Sequence, residues 1–253
     1  MSTTTHIREI LVDLARQYPP ALVEGQLSDV RRVAFHISLV ISEKEPNRRI
    51  CDLGGGIGLF SVGCAALGMS CVLADDFGDK VNQQYGDEQF ALHKKLGVDI
   101  VAKDVISERL DFEPESFDAF TCFDAMEHWH HSPKVLFGEI RQALKPCGLF
   151  ILGGPNCVNL RKRISAPLGI GKWSGMGDWY EKTTFRGHVR EPDVDDLQYI
   201  ADDMKLRNVR ILGRNWLGYH STFKWVRIGM PLFDHALRLL PSLCSDIYLV
   251  GQK

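Results

Sequence analysis

Asp52-Leu53-Gly54-Gly55-Gly56-Ile57-Gly58 stands between a short apolar run, Ile50 to Leu53, and a segment, Leu59 to Leu67, that reads as a helix. Strand, glycine-rich turn and helix in immediate succession let the backbone turn sharply and let a ligand approach the helix N-terminus. The spacing is Gly-x-Gly-x-Gly, not the Gly-x-Gly-x-x-Gly of dinucleotide-binding loops. An acid, Asp52, lies two residues before the first glycine. A carboxylate there repels a pyrophosphate but suits a ligand carrying an ammonium or sulfonium charge.

The chain outward from this turn alternates between strand and helix patterns. Cys71 to Ala74 reads as a second strand ending on Asp75-Asp76, where a carboxylate can accept both hydroxyls of a ribose. Val98–Val101, Phe117–Phe123 and Leu149–Leu152 read as three more strands, with a helix from Pro133 to Leu144 closed by Lys145-Pro146-Cys147-Gly148. Later come a helix through Val194, Leu197, Ile200 and Ala201, a strand near Val209–Leu212 and a final strand, Ile247–Val250. Upstream, Ile7, Ile10, Leu11 and Leu14 share one helical face. A second stripe runs from Val30 through Val33, Ala34, Ile37 and Ile41, with Ser28 as the expected N-cap. Strands alternating with helices imply βαβ units and a parallel sheet covered on both faces. One domain is expected over 1–253: N-terminal helices in 1–46, a core in 47–153, and a half with two insertions in 154–253.

Composition restricts the possible partners. The 253 residues are 45% hydrophobic and 25% charged, and 30 Lys+Arg against 32 Asp+Glu leave a net charge of −2. That disfavours a basic nucleic-acid coat or an acidic disordered tail. The distribution is uneven, however: −7 over residues 1–154, +5 over 155–190, −6 over 191–204 and +6 over 205–253. Seven scattered cysteines without a Cys-x-x-Cys form neither a disulfide framework nor a zinc knuckle, so a reducing compartment is expected. The first residues carry no basic stretch followed by an apolar run, and no segment reaches the roughly 20 apolar residues of a membrane span. A cytoplasmic location is therefore expected.

At the glycine loop the sequence resembles the class I S-adenosylmethionine-dependent methyltransferases of the type 11/23 kind, over about Arg49 to Leu152. Ser116 to Phe123 resembles the family's fourth strand, and Leu144-Lys-Pro-Cys-Gly148 its Leu-Lys-Pro-Gly-Gly turn, with Cys147 in place of the first glycine. The resemblance implies a Rossmann-like, doubly wound, seven-stranded α/β sheet with insertions after the fifth and sixth strands. It places Asp52, Gly54, Gly55, Gly56 and Gly58 around the methionine end of S-adenosylmethionine, and Asp75, ahead of Asp76, on the ribose. It places Asp104 and Val105 at the adenine, with Phe123 also lining the cofactor.

Past the fourth strand stands Asp124-Ala-Met-Glu127-His128-Trp-His-His131. In a doubly wound fold the carboxyl ends of the strands border the ligand crevice, and in a helical segment Asp124, Glu127 and His128 would share a face. Ubiquinone-biosynthesis O-methyltransferases and small-RNA 3′-terminal 2′-O-methyltransferases resemble this acid-x-x-Glu-His segment, and with a later histidine they use it to bind a divalent metal. Here the later histidine is His188, in Phe185-Arg-Gly-His188-Val-Arg-Glu191. Three readings stand open: Asp124, Glu127, His128 and His188 as ligands of Mg2+ or Mn2+; His128 or His188 as general base without a metal; or a structural and substrate-positioning role.

The first insertion carries Leu160-Arg161-Lys162-Arg163-Ile164, then Trp173, Trp179, Tyr180 and Phe185, a mixture able to stack on and hold a sugar or an anionic group. Arg161–Arg163 reads equally as one solvated helix face. The second, over 216–241, mixes large apolar residues with Lys224, Arg227, His235 and Arg238. Gly229 and Pro231 are expected to break it into two short pieces that form a lid, a dimer contact or a membrane-surface segment. The expected function is methyl transfer to an oxygen of a small hydroxylated metabolite or saccharide, anionic or sugar-containing, by a monomer or homodimer. Transfer to nitrogen or carbon, on a small molecule or lipid-linked substrate, is the alternative within enzymes. A non-catalytic S-adenosylmethionine-binding or interaction module is the alternative outside them.

Overall fold

A computed structural model describes residues 3–41, 47–78, 86–170 and 175–253 of the chain; Trp173 lies outside them. Its strands are β1 Arg49–Leu53, β2 Ser70–Asp75, β3 Asp99–Ala102, β4 Phe117–Phe123, β5 Leu144–Pro155, β6 Arg207–Arg214 and β7 Asp246–Gln252. They form one seven-stranded sheet in the order β3-β2-β1-β4-β5-β7-β6. The pairs β1/β2, β1/β4 and β2/β3 are parallel, while β6/β7 is antiparallel. The sheet is therefore mixed. The helices are α1 Thr3–Ala15, α2 Pro20–Val40, α3 Leu59–Ala66, α4 Ala91–Lys95, α5 Lys134–Ala143, α6 Leu160–Ser165, α7 Met176–Tyr180, α8 Val194–Asp203, α9 Trp216–Tyr219 and α10 Lys224–Leu237. Two compact units divide the chain: Met1–Cys122 with Glu139–Leu149, and Phe123–Gly138 with Phe150–Lys253.

In the first unit β1 is buried from Ile50 to Leu53 and β2 from Cys71 to Ala74, the near-continuous apolar runs of parallel strands covered on both faces. Helix α3 is buried from Leu59 to Cys64. At Gly63 a Cβ would lie 2.7 Å from both Leu11 of α1 and Ile37 of α2, so glycine is what lets these helices pack so closely. The stripe Val30, Val33, Ala34, Ile37 and Val40 is the buried face of α2.

Three expectations are corrected. Helix α2 starts at Pro20, so Ser28 is inside it, and its hydroxyl donates to the Gly25 carbonyl at 2.7 Å. Proline at a first helical position is pre-set for that start. Residues 145–148, expected as a turn, fall within β5; Cys147 adopts φ +63°, a conformation natural to the glycine it replaces. Gly229 and Pro231 do not break the second insertion, because α10 runs through both. A proline inside a helix removes one hydrogen bond, a cost that tertiary anchoring can meet.

That anchoring is visible in the second unit. Asp234 of α10 is fully buried and accepts hydrogen bonds from Asn215 Nδ2 at 2.9 Å and the Tyr219 hydroxyl at 2.8 Å, and it is paired with Arg238. Gly218 faces Met230 where any Cβ would collide. Asn156 is also buried and donates to the carbonyls of Ser242 and Cys244 at 3.0 and 2.9 Å, holding the start of the first insertion to the end of the second. Helix α8 opens with a capping box between Asp193 and Asp196. No described helix is long and apolar enough to cross a membrane.

Candidate functional site

The first unit holds the glycine loop. Gly54 and Gly56 have φ of +68° and +54°, and the Gly54 N–H donates to the Ala74 carbonyl at 2.8 Å, tying the loop to β2. At Gly55 a Cβ would collide with the Asp52 carboxylate, so the backbone approaches as closely as only glycine allows. Asp52, at the end of β1, is 3% exposed and accepts from the Thr121 hydroxyl of β4 at 2.9 Å. Burial pushes its carboxyl up to about 7; the Thr121 hydrogen bond opposes this and the nearby Asp75 charge adds to it.

Asp75 ends β2 and accepts from the Gly56 N–H at 3.0 Å and the Phe77 N–H at 2.6 Å. It is therefore the acid held to the loop, whereas Asp76 accepts from Gly78 at 2.8 Å. Asp104 accepts from Ile106 N at 3.0 Å and the Ser107 hydroxyl at 2.6 Å within its own turn. Burial raises its carboxyl, but those bonds outweigh burial and leave it below the usual range. Val105 beside it is buried. The structure adds Thr121 and Tyr18, whose hydroxyl donates to the Gly58 carbonyl at 3.2 Å. Both lie far from the loop in sequence, and no spacing rule singles them out.

The second unit holds the histidine cluster. Glu127, His128 and His188 each present one ligand-type atom, all within 4.8 Å of one another. Asp124 is not part of that group. It has φ +52° and donates its N–H to the Gly153 carbonyl, and Met126–His128 is only a single 3-10 turn, so no helical face unites Asp124 with Glu127 and His128. Its charge still acts on Glu127: burial first, then Asp124, push that carboxyl up to about 8. The Glu127 carbonyl accepts from Val189 N at 2.6 Å, fixing the segment that carries His188. Phe123 also lies in this unit, its ring 6.1 Å from that of Tyr248.

Hydrogen bonds define the two imidazoles. His128 Nδ1 lies 2.8 Å from the Arg186 carbonyl, and His188 Nδ1 lies 2.8 Å from Glu191 Oε1. Both partners only accept, so each Nδ1 carries the proton and each neutral ring keeps its lone pair on Nε2. The rings are 4.8 Å apart, edge to face. Burial lowers His128, while the Glu191 hydrogen bond raises His188. Glu191 is itself buried and also paired with Lys162 of α6; burial raises it, but the bonds from His188 and Lys162 together leave it lowered. Lys162 and Glu191 are 29 residues apart. Nothing local in the sequence signals this pairing, in which Lys162 turns inward to Glu191.

Residues 51–152 match the family described as "Methyltransferase domain". A ribosomal protein L11 methyltransferase of Listeria welshimeri is 26% identical over 166 residues, 56% of this chain and 45% of that protein. The chain thus spans less than half the length of that curated relative. Among solved structures, a SAM-dependent methyltransferase from Archaeoglobus fulgidus superposes with TM-score 0.53 at 17% identity, covering 88% of this chain and 91% of that one. Phosphoethanolamine N-methyltransferase 2 of Haemonchus contortus, bound to S-adenosyl-L-methionine, gives 0.56 at 16% identity, over 88% and 52%. At such identities the structural likeness speaks for the fold. Residues 51–152 thus match a methyltransferase domain, and the chain has the fold seen in S-adenosylmethionine-dependent methyltransferases.

Proposed function

We propose that the chain transfers a methyl group to a hydroxyl oxygen of a small metabolite or saccharide, with His188 as general base. The observation that carries this reading is the triad Lys162–Glu191–His188, which fixes the histidine tautomer and leaves Nε2 as a proton acceptor. When bound, S-adenosylmethionine supplies a methyl group on a cationic sulfur. The first-unit residues fit it chemically: Asp52 is a buried carboxylate raised in pKa by burial and by another acid, Asp75, and so favours a cationic partner. In this reading Asp52 and the loop of Gly54, Gly55, Gly56 and Gly58 hold the methionine end, Asp75 the ribose, and Asp104 with Val105 the adenine.

A hydroxyl is a poor nucleophile until its proton is removed. Nε2 of His188 takes that proton as the oxygen–carbon bond forms and the carbon–sulfur bond breaks. The Glu191 carboxylate stabilises the resulting imidazolium, and Lys162 keeps Glu191 ionised. A methyl-transfer screen over sugars, phenols and quinones tests the reading; turnover with amines alone would overturn it.

The grouping of Glu127, His128 and His188 favours a second reading, in which they hold a Mg2+ or Mn2+ that orients the acceptor hydroxyl. The outward hydrogen bonds of both Nδ1 atoms fit the usual support of metal-bound histidines. A cation would also need Glu127 ionised, against its tendency to stay protonated up to about 8. Turnover that survives EDTA assigns the cluster to the base reading; loss in EDTA restored by Mg2+ or Mn2+ assigns it to the metal.

A further inference from the structure

Helix α10 has one face anchored and the opposite face in water. Met230 and Asp234 are buried, and the Asn215–Asp234–Tyr219 bonds fix the rotation of the helix about its axis. That rotation turns Trp225, Ile228 and Leu232 outward, with 77%, 75% and 80% exposure. Their spacing of three and four residues makes them one continuous stripe. Exposed Phe233 widens it, and Phe223 extends it past the helix start with its ring 6.5 Å from that of Trp225.

Charge identifies what the stripe meets. Lys224, Arg227 and His235 are exposed beside it. Asp234 is the one acid between residues 215 and 245, and it is buried and paired with Arg238. The exposed part of the helix is therefore apolar and cationic, without an acid. In a symmetric contact with a second copy the patch would meet itself, cations against cations with no acid to answer them. A surface of anionic lipid headgroups over hydrocarbon complements both features. At 14 residues α10 is about 21 Å long, too short for the roughly 30 Å of a bilayer core, so it lies in the plane of the surface.

We propose that α10 docks the protein on anionic membranes, with Trp225, Ile228 and Leu232 entering the headgroup boundary and Lys224 and Arg227 meeting lipid phosphates. The test is co-sedimentation of the full chain with phosphatidylcholine vesicles, with and without about one-third phosphatidylglycerol. Binding is expected to the anionic vesicles only. Lys224→Gln and Arg227→Gln are each expected to weaken it about fivefold, and Ile228→Glu with Leu232→Glu by a hundredfold or more. Both glutamates sit at solvent-exposed positions, so thermal melts should match wild type. Wild-type protein left in the supernatant, or glutamate variants that pellet as well as wild type, would overturn the proposal. So would a lipid-free dimer in sedimentation velocity that the glutamate variants dissociate, because a second copy would then cover the stripe.

Discussion

Asp52→Asn separates what the glycine loop does for folding from what it does for a ligand. The side chain is 3% exposed and its carboxyl is pushed from 3.8 to about 7. At about 1.4 kcal/mol per pH unit, that gap favours the protonated over the ionised form in the folded state by about 4 kcal/mol. A raised carboxyl binds its proton more tightly folded than unfolded. Stability therefore falls as pH rises from about 4 to about 7, then levels off. Ionisation of Asp52 costs about 4 kcal/mol at pH 8 and about 2 kcal/mol at pH 5. Asparagine has the same shape, keeps an acceptor for the Thr121 hydroxyl and cannot ionise, but an unpaired amide N–H costs about 1–3 kcal/mol. The variant should exceed wild type by about 1–3 kcal/mol at pH 8 and roughly match it at pH 5. Urea denaturation of both proteins at the two pH values measures this, and the amide penalty cancels in the comparison. A stability difference that stays the same at pH 5 and pH 8 refutes the reasoning. Calorimetric titration with S-adenosylhomocysteine should show the opposite preference, with at least about tenfold weaker binding by the more stable protein.

Four further outcomes follow from the structure. His188→Ala should lower kcat by about 10²–10³. Because the base acts unprotonated, kcat/KM should rise with pH through a value above the ordinary histidine range, and Glu191→Gln should move that rise to lower pH; an unmoved profile would dismiss the dyad. Glu127→Gln should gain on wild type as pH rises from about 4.5 to about 8 and then hold that gain, because a carboxyl pushed up to about 8 binds its proton more tightly folded than unfolded; thermal melts that show a pH-independent difference would refute this. Cys147→Gly should raise stability by about 0.5–1 kcal/mol, because φ +63° costs a side chain more than glycine loses in chain entropy; an unchanged or lower Tm would count against it.

The first-unit strands were legible because parallel strands covered on both faces are runs of apolar residues cut by glycines and acids, as in Ile50–Gly58 and Cys71–Asp76. The fifth strand was read short because Pro146 and Gly148 look like a turn, and only the positive φ of Cys147 shows how a strand accommodates them. Pro231 misled for a related reason. Local propensity counts against a helix there, and what outweighs it is Asp234, whose partners Asn215 and Tyr219 come from the preceding cap and short helix and Arg238 from the end of α10 itself. In the site, His128 and His188 could be found from the resemblance, but Glu191 and Lys162, which define how His188 can act, could not. A buried pair 29 residues apart leaves no periodic trace.

Asp52 bears on a ligand at the glycine loop independently of any resemblance. A carboxylate buried at the end of a strand, with Asp75 raising its pKa further, is an unfavourable arrangement for a protein with nothing to bind. Asparagine would keep the hydrogen bond from Thr121 and remove the burden of burying a charge. Proteins retain such destabilising groups where function needs them. A ligand that brought positive charge to the loop would reverse that balance, because the buried carboxylate would gain an opposite charge. The −7 carried by residues 1–154 has the same sense, whereas residues 155–190 and 205–253, at +5 and +6, hold the two insertions. A net charge of −2 thus conceals an acidic stretch that contains the glycine loop and two basic stretches that contain the insertions.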